Sequence, residues 1–239
     1  FIPITYFKES VEINKRAWEN CKEILKNIDT NFNGKVNDEN AWQTSLENGR
    51  VIEVMKQVRD NMKDEFKVKV HLGIDIASSS FFNGKYEYLN PKKSLERKKQ
   101  IEYIKELSKD VYYIEDPLEE EDFLGFSEIN KNANGLIVGD DLTVTNLDRL
   151  MVACKKNSIN AVIVKPNQIG SLLEVKKVVE FCKRNKIKTI FSHRSAETKD
   201  NILADLAFGF QADFIKTGIL GKGRDEKLNR MIEIEDGFN

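Results

Sequence analysis

The sequence has no apolar run close to the roughly 20 residues that a membrane-spanning helix requires,. The N-terminus, FIPITYFKES, has no basic region followed by an apolar run, so we predict no signal peptide,. Cysteine is scarce, and Cys21, Cys154 and Cys182 are an odd number at scattered spacing. This argues against a disulfide framework or a zinc site. We therefore expect a reduced, cytoplasmic protein without a membrane segment.

An excess of charge of either sign is also missing, because the formal net charge is −1. Neither nucleic acid nor an anionic membrane is favoured as an electrostatic partner by such a chain. The 239 residues are 40% apolar and 32% charged, which is enough for a sizeable core and too apolar for a disordered protein,.

Six short apolar runs are present, and each ends on a residue that carries chemistry. They are VKVHLGID (Asp75), VYYIED (Glu115), GLIVGDD (Asp140), NAVIVKPN (Lys165), KTIFSHRS (His193) and DFIKTG (Lys216). Successive end residues are 40, 25, 25, 28 and 23 positions apart, about one strand-plus-helix unit each. Most of the intervening segments have helical periodicity. Strands that alternate with helices in this way predict parallel βαβ units, arranged either as a barrel or as a doubly wound sheet.

The first three end residues are carboxylates. Neighbouring strands of a sheet are about 4.8 Å apart, so we expect Asp75, Glu115 and Asp140 to converge at one edge. An all-oxygen ligand set suits a hard cation such as Mg²⁺. Their neighbours Asp116 and Asp141 are interpreted as ordinary caps or salt-bridge partners.

The later end residues are cationic. Lys165 and Lys216 flank the segment His193-Arg194-Ser195, and arginine with serine suits an oxyanion such as phosphate,. A metal ion and a lysine base together can stabilise an ene-diolate formed beside a carboxylate. Taken singly, each lysine is equally compatible with a solvated surface charge, and His193 with a hydrogen-bonded core histidine.

Six segments in order resemble the signatures of one family. GIDIASSSFF, YIEDPLEEEDF, VGDDLTVTN, VKPNQIGSLLE, SHRSAET and IKTG are similar to those of enolase, the 2-phosphoglycerate hydro-lyase of glycolysis. The resemblance implies an α/β fold over residues 1–239, a TIM-like (β/α)8 barrel of the enolase type with a ββαα start. It also implies dehydration of 2-phosphoglycerate to phosphoenolpyruvate with Mg²⁺ as cofactor.

The resemblance implies a role for each strand-end residue. Asp75, Glu115 and Asp140 match the ligands of the tightly held Mg²⁺ of the family. Lys165 matches the base that removes the proton from C2. Lys216 matches the lysine that helps to neutralise the substrate carboxylate.

Two further segments match the family by position. His193, Arg194 and Ser195 match the segment that surrounds the substrate and holds its phosphate. In VNDENAW, Glu39 matches the glutamate of VGDEGG, part of the acid machinery that assists departure of the C3 hydroxyl. Gln168 follows the base and is expected to support the site.

By family standards we expect the first barrel strand and the α+β N-terminal domain, with its serine loop, to lie outside this chain. The same protein or another chain would then supply them. We expect the 239-residue chain to be inactive alone and to bind Mg²⁺ weakly. The family also implies a homo-oligomer and a small phosphorylated carboxylate as substrate.

Some of the motifs differ from the family pattern. VGDEGG is replaced by VNDENAW, Ala196 stands in place of a glycine, and GILGKGRDEK departs from GAPARSER, with Arg224 as a substitute arginine. The glycines of that last segment predict a turn rather than a phosphate loop. These changes leave open an enolase-like enzyme for a related phosphorylated or phosphonylated carboxylate. The family elements expected outside this chain leave open a second alternative, a non-catalytic enolase-derived binding protein.

Overall fold

The computed structural model describes residues 1–238. Its elements, in chain order, are β1 Ile2–Pro3, α1 Phe7–Ile28, α2 Asn48–Phe66, β2 Val70–His71, β3 Gly73–Asp75, β4 Tyr86–Leu89, β5 Lys92–Leu95, α3 Arg97–Leu107, β6 Tyr113–Glu115, α4 Phe123–Asn130, β7 Leu136–Gly139, α5 Leu147–Lys155, β8 Ala161–Val164, α6 Pro166–Ile169, α7 Leu172–Asn185, β9 Lys188–Ser192, α8 Ile202–Gly209, β10 Phe214–Lys216 and α9 Asp225–Asp236. A 3-10 turn covers Ser78–Phe81.

The chain divides into two compact units. The first contains Phe1–Leu72, Arg194–Asp205 and the segment from Thr217 onward. The second contains Gly73–His193 and Leu206–Lys216.

The first unit is built on two long amphipathic helices. Apolar side chains on one face of α1 and one face of α2 form a buried cluster that includes Ile13, Val58 and Met62. Burying such apolar faces is the main stabilising contribution to this packing. The carboxylate of Glu235 in α9 accepts hydrogen bonds from the backbone N–H groups of Phe7 (2.6 Å) and Lys8 (3.0 Å), and so satisfies orphan donors at the start of α1,.

The short strands β1 and β2 also belong to this unit and pair antiparallel, with Ile2 opposite His71. The order β1, α1, α2, β2 agrees with the later part of the expected ββαα start.

The second unit is a six-stranded, entirely parallel sheet. Its strands lie in the order β3, β6, β7, β8, β9, β10, which is the order in which they occur along the chain. A doubly wound sheet reverses its strand order at a switch point. Because the described sheet has no reversal, the structure selects the barrel-type alternative.

The sheet is also curled. In a flat six-stranded sheet the edge strands would be about 24 Å apart, which is five strand spacings and far more than one lysine side chain spans. Lys216 of edge strand β10 nevertheless reaches Asp75 of the opposite edge strand β3, with 2.9 Å between Nζ and Oδ2. The sheet therefore bends round on itself, and the carboxyl ends of its strands surround a common space.

Burial of the sheet explains its sequence. Every residue of β6, β7 and β8 is buried, and strands covered on both faces are continuously apolar rather than alternating. The connecting helix α7 begins as its sequence predicts. Ser171, with Glu174 three residues later, fits a capping box, and the Ser171 side chain accepts a hydrogen bond from the backbone N–H of Glu174,.

One hairpin was not predicted. Strands β4 and β5 pair antiparallel, and the last two residues of β5, Ser94 and Leu95, belong to the segment SLERKKQIEYIKELSKD, whose pattern predicts a helix. That helix, α3, begins only at Arg97. Burial alternates along the YEYL sequence of β4, with Tyr86 and Tyr88 buried and Glu87 and Leu89 exposed, and this period of two is typical of a half-buried strand.

Candidate active site at the carboxyl ends of the strands

All six predicted strand-end residues are where the sequence places them. Asp75, Glu115 and Lys216 are the last residues of β3, β6 and β10, whereas Asp140, Lys165 and His193 directly follow β7, β8 and β9. All six belong to the second unit. Parallel barrels build their active sites at this end of the strands.

Lys216 joins two of the predicted metal ligands. The strand register places Asp75 directly beside Glu115. The Lys216 ammonium donates to Asp75 Oδ2 (2.9 Å) and to both carboxylate oxygens of Glu115 (2.7 Å each). Burial alone would lower the pKa of Lys216, but the charges of Glu115 and Asp75 outweigh it and raise this pKa,. The lysine is therefore held as a cation between two carboxyl groups.

Glu115 is the most buried carboxyl group of the site, with no exposed surface. Burial raises its pKa to about 7, although the Lys216 charge opposes this shift,. The Tyr113 hydroxyl also donates to Glu115 Oε2. Any additional positive charge nearby would therefore strongly stabilise the ionised form of this carboxyl group.

Asp140 and Lys165 form the second ion pair of the site. The Lys165 ammonium donates to Asp140 Oδ2, and both side chains are largely buried. The backbone N–H of Lys165 donates to Thr145 Oγ1 (2.9 Å), and this hydroxyl donates to Gln168 Oε1 (3.1 Å). The lysine predicted as the base is thus fixed at its backbone by a short hydrogen-bonded chain that ends on Gln168.

Asp116 has a structural role. Its two carboxylate oxygens accept the backbone N–H groups of Asp140 (3.0 Å) and Asp141 (2.8 Å), so it caps the turn that follows β7. Burial raises its pKa. Carboxylate oxygens of Asp116, Asp140 and Asp141 lie within 4.8 Å of one another, a grouping that could hold a metal ion. Since the Asp116 oxygens are already occupied by backbone donors, we assign Asp116 to positioning Asp140.

The predicted phosphate-side segment is divided between the units. His193 is buried in the second unit, and its backbone N–H donates to the carbonyl of Lys216 (3.3 Å). Arg194 and Ser195 are exposed and belong to the first unit. Their roles in holding phosphate stay predictions.

Two carbonyls a few residues downstream are held by Lys227, whose Nζ donates to the backbone oxygens of Thr198 (3.0 Å) and Asp200 (2.8 Å). Lys227 thus fixes the chain that follows the predicted phosphate-side segment.

Glu39 lies in the first unit and is paired with Arg224. Arg224 donates to Glu39 Oε2 from Nη2 (2.7 Å) and Nε (3.2 Å), and to the carbonyl of Asp38 (2.8 Å). The Arg224 side chain is 7% exposed and that of Glu39 is 37% exposed. The substitute arginine of the sequence is therefore the partner of the predicted acid-side glutamate. The catalytic role of Glu39 stays a prediction.

Tyr113 and Thr145 were missed from the sequence. Tyr113 stands two residues before Glu115 on the same strand, and a period of two places both side chains on one face,. That spacing was available as a signal. Thr145 is 20 positions from the backbone group that it supports, and no local pattern connects the two.

The fold and the site together define a TIM-barrel type of protein with an acidic and lysine-lined site at the carboxyl ends of its parallel strands,. The model of the family described as "Enolase, C-terminal TIM barrel domain" matches residues 2–239. The chain belongs to the enolase family.

Similar proteins include three curated enolases. The enolase of Picrophilus torridus is 40% identical over 232 residues, that of Pyrobaculum aerophilum 41% over 231 and that of Thermoplasma acidophilum 40% over 235. The aligned regions cover 95%, 95% and 96% of this chain, but only 58%, 54% and 58% of the relatives. The chain thus spans little more than half the length of these curated relatives. Within residues 1–238, no helix combines the length and apolar character needed to cross a bilayer.

Proposed function

We propose that the protein carrying this chain is a Mg²⁺-dependent hydro-lyase that converts 2-phosphoglycerate to phosphoenolpyruvate. The observation that carries the proposal is the arrangement at the strand ends, where Lys216 bridges Asp75 and Glu115 while Lys165 pairs with Asp140. Membership of the enolase family supports the reaction class.

The carboxyl groups fit a hard divalent cation. Asp75, Glu115 and Asp140 would hold Mg²⁺, because carboxylate oxygens are its preferred protein ligands. In the structure each of the three contacts a lysine ammonium, so each is placed where positive charge is stabilised. When bound, Mg²⁺ would supply positive charge beside the substrate carboxylate and so stabilise the charge that develops during proton removal.

Lys216 contributes to the same stabilisation. A proton next to a carboxylate is very weakly acidic, so the dianion formed on its removal needs strong electrostatic support. Lys216 is held in its charged form by two carboxylates. It is therefore suited to neutralise negative charge on the substrate carboxylate.

Lys165 is the proposed base that takes the C2 proton. A base must have a fixed position relative to the proton that it removes, and Thr145 anchors the Lys165 backbone. Glu39 is proposed to assist departure of the C3 hydroxyl, with Arg224 as its partner. His193, Arg194 and Ser195 are proposed to surround the substrate and bind its phosphate, for which the arginine fork and the serine hydroxyl are suited.

For the whole protein we propose a small phosphorylated carboxylate as substrate, a homo-oligomeric assembly and a cytoplasmic location. These rest on family membership alone.

The test is turnover by the protein that carries these 239 residues. Formation of phosphoenolpyruvate from 2-phosphoglycerate would be followed by its ultraviolet absorbance, with Mg²⁺ present and after removal of divalent cations by a chelator. We expect turnover that requires Mg²⁺. No turnover at saturating Mg²⁺ would contradict the proposal, and activity on another phosphorylated or phosphonylated carboxylate would then favour the related-substrate alternative.

A further inference from the structure

The loop that carries Glu39 is a tight hairpin tip. Val36 and Trp42 form an antiparallel bridge, and the chain between them turns sharply. Within the turn, Asn37 Oδ1 accepts the backbone N–H groups of Glu39 (3.0 Å) and Ala41 (2.9 Å). Most residues of the tip are exposed, so burial of apolar surface contributes little to its order and specific hydrogen bonds must hold it.

The two tryptophans of the chain are packed against this tip. The rings of Trp18, on helix α1, and Trp42 have centroids 4.0 Å apart. Trp42 Nε1 donates to the carbonyl of Trp18 (2.8 Å), and Trp18 Nε1 donates to the carbonyl of Asn40 (2.7 Å). Helix α1 is thereby bonded directly to the residue that follows Glu39.

Asn40 joins the tip to a second segment of the same unit. Its φ is 57°, a left-handed conformation that asparagine tolerates better than most residues,. Its Nδ2 donates to the carbonyl of Leu220 (2.7 Å). A Cβ on Gly221 would lie 2.3 Å from this nitrogen, so the neighbouring residue has to be glycine for the contact to form. A glycine in place of Asn40 would have the same backbone freedom without this bond.

Hydrogen bonds from other segments therefore hold three successive residues of the tip, Asp38, Glu39 and Asn40. Arg224 binds the Asp38 carbonyl and the Glu39 carboxylate, while the Asn40 carbonyl and side chain are bound by Trp18 and Leu220. We infer that Trp18 and Asn40 are positioning residues, which hold the Glu39 carboxylate in its Arg224-paired orientation through the backbone of the tip. This inference rests on the proposed function only in so far as Glu39 takes part in that reaction.

The test is Trp18→Phe, which keeps an aromatic ring and removes the indole donor. In the protein that carries these residues, amide hydrogen exchange at Glu39, Asn40 and Ala41 should accelerate by about tenfold as the tip opens more often. The kcat for 2-phosphoglycerate should fall by about tenfold with KM nearly unchanged, less than the roughly 10²-fold that a 1 Å misplacement can cost.

Two further variants complete the design. Asn40→Gly should act in the same direction with a smaller effect, because it keeps the backbone conformation and removes one bond, and it also serves if Trp18→Phe does not fold. Val58→Ala is the matched control, since Val58 is fully buried between α1 and α2 and has no role in the tip. It should lower stability without the selective loss of kcat or the local increase in exchange.

The outcomes separate the two claims. If exchange at the tip is unchanged in both variants, or if it rises while kcat stays at the parent value, the positioning role is overturned. It is also overturned if Val58→Ala reproduces both effects. If the parent protein shows no turnover of 2-phosphoglycerate, the proposed function fails instead, and the exchange rates alone then decide whether Trp18 and Asn40 hold the tip.

Discussion

Lys227 is a buried lysine whose hydrogen bonds to loop carbonyls of the first unit should contribute measurably to the stability of the protein. Its side chain is 1% exposed, and Nζ donates to the backbone carbonyls of Thr198 (3.0 Å), Asp200 (2.8 Å) and Gly223 (2.8 Å). All three ammonium protons are therefore used. The carboxylate of Glu197 lies 3.7 Å from Nζ and adds electrostatic attraction. We predict that Lys227→Met destabilises the protein substantially.

The expected size follows from two opposing effects. A hydrogen bond from a charged donor contributes about 1.5–3 kcal/mol net, so three of them set an upper limit of roughly 5–9 kcal/mol. Methionine avoids the desolvation of the buried ammonium, which costs several kcal/mol. Thr198 and Asp200 lie in an exposed segment, so water can reach their carbonyls after the substitution. We therefore expect a loss of about 3 kcal/mol in the free energy of unfolding.

Urea denaturation of the parent and the variant measures this loss. Lys222→Met is the matched control, because Lys222 is an exposed lysine in the turn that precedes α9, the helix that carries Lys227, and it should change stability by less than about 0.5 kcal/mol. Hydrogen exchange of residues 197–202 should accelerate in Lys227→Met and not in the control. A variant within about 1 kcal/mol of the parent would show that these three bonds do not order the loops.

Two further predictions concern carboxyl groups. Hydrogen bonds from Ser45 and Thr44 lower the pKa of Asp29. Its carboxylate therefore stabilises the fold at pH values above the ordinary aspartate pKa of about 4. This contribution is lost as the pH falls further towards the lowered pKa. Asp29→Asn should therefore flatten the decrease of Tm between about pH 5 and pH 2, and an unchanged pH dependence would refute this role. Tyr113→Phe removes a donor to Glu115, whose pKa burial already raises to about 7, and should raise that pKa further,. Metal binding needs the ionised carboxylate. The pH below which Mg²⁺ affinity falls, measured by calorimetry, should therefore be higher in the variant than in the parent. The same pH dependence in both proteins would contradict the prediction.

The strand ends were predictable because one local rule applies to all of them. Each parallel strand is a short, mainly apolar run that stops where the chain meets water, so a charged residue at the end of the run marks the end of the strand. Asp75, Glu115, Asp140, Lys165 and Lys216 were all placed correctly on this basis. Family membership was likewise recognisable from the order of the motifs, as the match over residues 2–239 confirms.

Side-chain contacts between opposite edges of the sheet could not be predicted from the sequence. The contact of Lys216 with Asp75 joins residues 141 positions apart and depends on the curl of the whole sheet. The helix α4 was also not predicted, since its eight residues are mostly apolar and too few to show a clear helical period,. Its start is nevertheless capped by Asp122, which accepts the backbone N–H of Gly125.

The differences between VNDENAW and the family pattern have a structural counterpart. Asn37 caps the turn and Asn40 adopts a left-handed conformation while bonding to Leu220, so each asparagine makes a contact that glycine lacks. The added Trp42 packs on Trp18. The residues that differ from the family pattern therefore contact one another and their surroundings as a mutually compatible set.

The most direct test of the central claim is exchange of the C2 proton of 2-phosphoglycerate with solvent deuterium, followed by NMR in the presence of Mg²⁺. We predict exchange in the parent protein and a loss of about 10²- to 10⁴-fold in Lys165→Ala, the range that a positioned base contributes. Lys222→Met, an exposed lysine outside the strand ends, serves as control and should exchange at the parent rate. Exchange by Lys165→Ala at the parent rate would contradict the assignment of Lys165 as the base.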